Sequence, residues 1–146
     1  MNYAVGDELP PFLIERVDTE AMQKWAVFLA DPNPIHLDAA AVQAKGLGAR
    51  VINQGPINVA YMINCLLRAF PDGQISSMTS RFLDNVYGGE RIVARGRVER
   101  IEGGRITCAL TLESEERGTV NSAVAVVITP DAAGAAQAMA GGGHPG

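Results

Sequence analysis

The sequence predicts an α+β protein in which one antiparallel sheet curls around a long central helix. Two observations support this fold class. Residues Ile57 to Phe70 are apolar almost all the way round a helix, so this helix has to be enclosed rather than laid on a surface. From Gln74 onward, apolar and polar residues alternate, which is the period of β-strands. A single sheet wrapped around the helix satisfies both constraints.

The first half of the chain is expected to form short elements before that helix. Residues 1–10 are a loose lead-in, and a first strand is predicted over Phe12–Val17. Asp18 or Thr19 then caps a helix that stops near Ala30. The residues at helical spacing on its predicted buried face are Met22, Trp25, Ala26 and Leu29.

Two helices are expected in the next segment of the chain. Asp38 is a helix cap, and Gly46 ends a short helix over Ala39–Lys45. Pro56 suits the first position of the long helix, because its missing N–H and fixed φ do no harm there. The segment Pro71-Asp72-Gly73 ends that helix.

Four strands follow the long helix. Glycine-containing turns at Gly88-Gly89, Gly103-Gly104 and Glu115–Gly118 separate them. The residues that alternate with polar side chains and share one face of the first three strands are Met78, Phe82 and Val86, then Ile92, Ala94, Gly96 and Val98, then Ile106, Cys108, Leu110 and Leu112. The last strand, Val120–Ile128, is expected to be more deeply buried.

Length and composition predict one globular domain over residues 1–129 in a chain of 146 residues. Residues 130–146 are rich in Ala and Gly, and we expect this tail, with His144, to be disordered and inert. The net charge of −4 offers no basic stripe for nucleic acid. Arginines gathered between Arg91 and Arg105 are interpreted as solvated strand residues, with a local anion site as the alternative.

Cysteine usage and hydropathy indicate a cytoplasmic protein. Cys65 and Cys108 lie in apolar patterns without metal-like spacing, so both are interpreted as reduced core residues. Because the amino-terminal residues lack a basic start followed by an apolar run, we expect no signal peptide, and no apolar stretch suggests a membrane span.

The segment Asp31-Pro32-Asn33-Pro34-Ile35-His36 is the strongest candidate site. Each proline pushes the preceding residue away from the helical region, so we expect a stiff, extended turn. Such a turn holds Asp31 and His36 in a nearly fixed relation. A carboxylate and an imidazole on a rigid support are the groups that proton transfer requires.

The stretch LADPNPIHLDAAAVQAKGLGARVINQGPINVAYM resembles the signature segment of the MaoC-like, or R-specific enoyl-CoA hydratase, family. The matching positions are Asp31, Asn33-Pro34-Ile35-His36, Asp38 and Gly55. The text RFLDNVYGGE resembles the later strand and turn of the same family. The resemblance spans about residues 12–128 and implies the hot-dog fold, a sheet wrapped round one long helix.

The resemblance implies reversible hydration of a trans-2-enoyl thioester to an (R)-3-hydroxyacyl thioester. Asp31 and His36 would activate the water as an acid/base pair, and Asn33 would orient part of that network. Gly55 would donate its backbone N–H to the thioester carbonyl oxygen. The substrate would be an acyl-CoA or acyl-carrier-protein thioester, and no cofactor and no metal is implied.

Several positions depart from the family's pattern or stay open. Gln54-Gly55-Pro56 replaces the common His-Gly, and Pro56 removes a donor beside Gly55. Ala30 stands where Gly is frequent. Three polar residues are expected to be structural rather than catalytic, although either asparagine can face an acyl pocket: Asn58, Tyr61 and Asn64. Arg81 is interpreted as a strand-face residue, with ligand phosphates as the alternative.

Two other functions remain open on the same fold. One is a non-catalytic acyl-binding or partner subunit of a hot-dog assembly, and the other is an acyl-CoA thioesterase. The presence of both Asp31 and His36 argues against the non-catalytic subunit. Because an exposed strand edge invites pairing with another chain, we expect a homodimer or a higher homo-oligomer.

Overall fold

The computed structural model describes residues 2–130 of the chain. Its elements in order are β1 (Phe12–Ile14), α1 (Thr19–Phe28), the short 3-10 helix η1 (Pro34–His36), α2 (Ala39–Ala44), α3 (Gly55–Ala69), β2 (Gln74–Phe82), β3 (Ile92–Glu102), β4 (Arg105–Ser114) and β5 (Gly118–Ile128). The predicted disordered tail lies outside the described residues except for Pro130, and so does His144.

The five strands form one antiparallel sheet in the order β1-β3-β4-β5-β2. Strands β3, β4 and β5 follow one another as hairpins, and Gly103 and Gly104 turn the first of them with φ of 58° and 78°. Strand β2 pairs with β5 rather than with β3. The predicted Gly88-Gly89 turn therefore does not close a hairpin, and β2 lies at an edge of the sheet.

Helix α3 packs on one face of this sheet and forms the core with it. Met62, Cys65 and Leu66 are buried on the helix, and Cys108 and Leu110 are buried on the facing side of β4. The arrangement confirms the predicted fold, an antiparallel sheet packed with a long central helix. The predicted enclosure of that helix is not seen in the single chain, because the sheet covers one side of α3 only and Leu67 on another side is 45% exposed.

The strand boundaries differ from the prediction at two places. Strand β1 ends at Ile14 rather than Val17, because the Val17 N–H donates to Glu90 O in a loop. Strand β2 ends at Phe82, where the next two N–H groups, of Leu83 and Asp84, both donate to Val120 O. Val86 is buried, but from a loop. Phe82, which was predicted to alternate with polar residues along this strand, is 56% exposed.

The helices agree closely with the sequence in their caps. Asp18 caps α1, and its Oδ1 accepts from Glu20 N at 2.9 Å. Asp38 caps α2, as predicted, and Gly46 follows it with φ of 69°. Pro56 occupies the second rather than the first position of α3, because the helix already begins at Gly55.

The cysteines and arginines match the simpler interpretations. Cys65 and Cys108 are free and buried, and burial raises the pKa of the Cys108 thiol to about 11. Exposed arginines pair with strand carboxylates, as in the contact of Arg95 Nε with Glu113 Oε2 at 2.7 Å. Within residues 2–130, no helix is long and apolar enough to cross a membrane.

Candidate active site

The chain between α1 and η1 is shaped by one unusual backbone conformation. Ala30 has φ of 52°, the left-handed region, and it turns the chain so that the Asp31 N–H donates to Ala26 O at 2.9 Å. The backbone then runs extended to Asn33. The turn was predicted to be extended throughout, but Pro34–His36 form a 3-10 helix, because a proline is tolerated in the first turn of a helix.

Asp31 and His36 are in direct contact. His36 Nε2 lies 3.2 Å from Asp31 Oδ2. The His36 side chain is 9% exposed and that of Asp31 is 37% exposed, so solvent reaches the pair from the carboxylate side. The structure thus brings together the two residues that the sequence singled out.

The other nitrogen of the imidazole fixes the ring. His36 Nδ1 lies 2.6 Å from Ile52 O. Because a carbonyl oxygen can only accept a hydrogen bond, Nδ1 carries a proton. In the neutral ring, Nε2 therefore presents a lone pair toward Asp31. In the charged ring, Nε2 donates to the Asp31 carboxylate.

Asn33 supports the pair through its backbone. Its N–H donates to Asp31 Oδ1 at 3.2 Å, so the two carboxylate oxygens of Asp31 have different neighbours. The Asn33 side chain instead caps η1, and its Oδ1 accepts from Ile35 N at 3.3 Å. Its predicted place beside the pair thus rests on its backbone N–H, and its orienting role stays a prediction.

Residues 52–55 connect the pair to the start of α3. Ile52 N donates to Ile35 O at 2.8 Å, and His36 donates to the Ile52 carbonyl, so Ile52 is bonded to η1 through both backbone groups. Gly55, three residues later, is the first residue of α3.

The amino-terminal end of α3 presents one backbone donor. Pro56 has no N–H, and the N–H groups of Ile57 and Asn58 donate to Gln54 O. Within residues 2–130, no acceptor is paired with the Gly55 N–H, as is usual for the first residue of a helix. The Phe82 ring lies nearby, since a Cβ added at Gly55 would be 3.2 Å from Phe82 Cε1.

The sequence reasoning gave no role to two buried amides next to Gly55, since Asn53 was not singled out and Gln54 was noted only as a departure from the family's pattern. Asn53 Nδ2 donates to Asn58 Oδ1 at 2.9 Å and to Tyr61 Oη at 3.2 Å. Gln54 Nε2 donates to Met22 O at 2.8 Å, which ties α3 to α1. The available signal was a pair of polar residues directly before a glycine that opens an apolar helix.

A groove of about 550 Å³ lies between α1 and α3, and we call it the α1–α3 groove. Trp25 and Phe28 of α1 line the groove, together with Leu29, the C-cap residue of that helix. Because Trp25 faces the groove, it is 37% exposed instead of buried as predicted. Pro56 and Tyr61 line it from α3. Leu29 is two residues from Asp31 and Pro56 follows Gly55, so the groove begins beside the candidate site.

Comparison with known proteins gives a family match over most of the chain. The family model described as MaoC like domain matches residues 12–118. No curated protein sequence matches the chain.

Solved structures share the fold at low sequence identity. R-hydratase PhaJ1 from Pseudomonas aeruginosa, unliganded, has a TM-score of 0.77 and 21% identity over 88% of this chain and 83% of that chain. The (R)-hydratase from A. caviae involved in PHA biosynthesis has a TM-score of 0.79 and 20% identity, over 88% of this chain and 98% of that chain. A chain of the ChsH1-ChsH2 complex from Mycobacterium tuberculosis has a TM-score of 0.77 and 18% identity, over 86% of this chain and 98% of that chain. These likenesses confirm the predicted fold.

Proposed function

Because the chain belongs to the MaoC-like domain family, we propose that it is a hydro-lyase that reversibly adds water to a trans-2-enoyl thioester, giving an (R)-3-hydroxyacyl thioester. The observation that carries the proposal is the 3.2 Å contact of His36 Nε2 with Asp31 Oδ2 on a ring whose Nδ1 is already bonded. Hydration needs a base for water and an acid for the α-carbon, and one imidazole can serve as both in turn.

The geometry of the pair suits a shared water molecule. When His36 is neutral, its Nε2 lone pair and the Asp31 carboxylate are both acceptors, and they repel each other. A water molecule that donates one hydrogen to each acceptor removes this repulsion. Nε2 then takes one proton as the water oxygen bonds to the β-carbon. The π electrons move toward the thioester, and the imidazolium returns the proton to the α-carbon.

Gly55 is the proposed oxyanion donor. Negative charge builds on the thioester oxygen during the addition, and the Gly55 N–H at the start of α3 can stabilise it. One well-aimed donor of this kind contributes about 3 kcal/mol. Since Pro56 has no N–H, the charge would be stabilised by a single backbone donor at this helix end. Glycine also lets the substrate approach the backbone closely.

The test is hydration of crotonyl-CoA, followed by the loss of the enone absorbance. We expect His36→Ala and Asp31→Asn each to lower kcat/KM by roughly 10²- to 10⁴-fold, because each removes one half of the acid/base pair. Asp38→Asn is the matched control, since it changes a nearby aspartate that only caps α2 and Asn can still cap. Rates equal to wild type in both site variants would refute the assignment.

A non-catalytic partner subunit is the second candidate function. It is favoured by the similarity to the ChsH1-ChsH2 complex, an assembly of two different chains. The remaining possibility is a thioesterase, and measuring free CoA thiol in the same assay distinguishes it from the other two functions. Enone loss without thiol supports the hydratase and thiol release supports the thioesterase. Binding of crotonyl-CoA with neither reaction supports the partner subunit.

A further inference from the structure

The α1–α3 groove has the size and lining of a small-molecule site. Its volume of about 550 Å³ falls within the range typical of ligand pockets. Trp25 and Phe28 form one wall, with their rings edge to face and their centroids 5.9 Å apart. Ala60 contributes to the opposite wall and leaves room between the helices. Most of the lining is apolar, so the groove suits a hydrocarbon chain.

Tyr61 supplies a directed polar group in this apolar wall. Its Oη accepts a hydrogen bond from Asn53 Nδ2 at 3.2 Å. Asn53 is itself buried and fixed by a second bond, to Asn58 Oδ1. Because the amide nitrogen can only donate, the Tyr61 hydroxyl proton is directed elsewhere. Burial also raises the pKa of Tyr61, which keeps the phenol neutral and able to donate.

The charges around the groove favour an uncharged ligand group. Its charged lining residues are Arg16 and Asp18, both exposed and of opposite sign, so their formal charges cancel. Asn64, one turn after Tyr61 on α3, adds a neutral amide. A carboxylate or ammonium in the ligand would lack an unopposed counter-charge among these groups. A carbonyl or hydroxyl oxygen has a donor in Tyr61.

We propose that the α1–α3 groove binds the tail of an acyl thioester that carries an uncharged acceptor oxygen, and that the Tyr61 hydroxyl donates to that oxygen. The inference rests on the proposed function, since it names the class of substrate for the same site. Tyr61 lies six residues after Gly55, which is about 9 Å along the helix axis. A four-carbon chain bound at Gly55 is too short to reach Tyr61, whereas a medium-length or ring-containing chain reaches it.

The experiment measures binding of saturated thioesters, which do not react, by calorimetry. Dodecanoyl-CoA is compared with a set of oxododecanoyl-CoA positional isomers, each of which carries one oxo group at a different position in the middle of the chain. We expect the best isomer to bind wild type roughly three- to tenfold more tightly than the plain chain. Tyr61→Phe removes only the hydroxyl and should bring this ratio close to one. Tyr87→Phe removes the hydroxyl that bonds Leu47 O outside the groove and should keep the wild-type ratio.

A ratio near one for every isomer in wild type would overturn the proposal, and so would a ratio that Tyr61→Phe leaves unchanged. Absence of binding by all the long chains would also overturn it, because the groove would then be filled by a second copy of the chain or closed. Crotonyl-CoA hydration is measured separately with the same protein preparations. If the protein does not hydrate crotonyl-CoA but still binds an oxo chain more tightly than the plain chain in a Tyr61-dependent way, the hydratase proposal fails and the groove assignment stands. The two failures are therefore distinguishable.

Discussion

At the scale of single residues, Ala30 sets the position of the candidate acid. Its φ of 52° costs an L-residue free energy, because the Cβ comes too close to the following carbonyl. The turn is nevertheless needed, since it brings the Asp31 N–H to Ala26 O and aims the carboxylate at His36. A small backbone strain is thus stored directly beside the candidate site.

Ala30→Gly should stabilise the protein. Glycine avoids the Cβ clash, which is partly offset by its larger chain entropy in the unfolded state, so we expect a net gain of about 0.5–1 kcal/mol in the free energy of unfolding. Urea denaturation measures it. The matched control is Ala40→Gly in helix α2, where the same change should lower stability by about 0.5–1 kcal/mol. A loss of stability in Ala30→Gly as well would contradict this account of Ala30.

The pairing of Asp31 with His36 was predictable from the sequence, because both residues lie on one short proline-stiffened segment. The tautomer of His36 was not predictable. It is set by Ile52 O, which belongs to a residue 16 positions further along the chain, and no local pattern announces that contact. The inner role of Asn53 was hidden for the same reason, since its partners lie on the next helix.

At the scale of elements, the loop between β2 and β3 is held by a buried carboxylate. Glu90 accepts from Tyr87 N at 2.7 Å, from Arg117 Nη2 at 2.5 Å, and from the hydroxyl of Ser114. Arg117 also donates to Asp84 Oδ2 at 2.6 Å. These bonds join the loop to the turn between β4 and β5. Burial alone would raise the pKa of Glu90, but these hydrogen bonds and the guanidinium outweigh burial and lower it.

Glu90→Gln should therefore destabilise the protein in a pH-dependent way. Because the folded-state pKa of Glu90 is lowered, its contribution is fully present above the ordinary value of 4.5 and is lost as the pH falls through the lowered value. We expect the variant to be less stable than wild type by about 2 kcal/mol at neutral pH, with a smaller gap in acid.

Urea unfolding of both proteins across the acid range measures that gap. Glu116→Gln is the control, since Glu116 pairs with Arg50 at an exposed site and its loss should change stability by less than about 0.5 kcal/mol. A gap between wild type and Glu90→Gln that stays constant from neutral to acid pH would refute the assigned role.

Strands in which apolar and polar residues alternate regularly were predicted well. The inward faces of β3 and β4 are buried as expected, from Ile92 to Val98 and from Ile106 to Leu112. Errors arose where tertiary contacts override the period. The bonds to Val120 O end β2 at Phe82, and the open groove leaves Trp25 partly exposed. These are contacts between segments distant in sequence, so single-segment patterns do not contain them.

At the scale of the whole molecule, the sheet has an edge with room for another chain. Strand β2 pairs on one side only, with β5, and nine residues of its backbone border the other side. The sequence predicted an antiparallel sheet but not this order, because pairing between β2 and β5 depends on the whole topology. Phe82 and Val124 near this edge are 56% and 53% exposed.

We expect a homodimer that uses the β2 edge. Light scattering after gel filtration should give about twice the 15.4 kDa of the chain, because an open edge and exposed apolar side chains favour pairing. Hydrogen exchange should be slow along β2 at high protein concentration and faster on dilution. A monomer at all concentrations would exclude the dimer, and a dimer with unprotected β2 would place the interface elsewhere.

The bond between the imidazole and the Ile52 carbonyl bears on stereochemistry. Because Nδ1 is occupied, only Nε2 of His36 is available for proton transfer. On the proposed mechanism the hydroxyl and the hydrogen would therefore both reach the substrate from the side of Nε2. Both would then add to one face of the double bond, a syn addition. The relative placement of the added hydrogen and hydroxyl would thus depend on a peptide oxygen that takes no part in the proposed proton transfers.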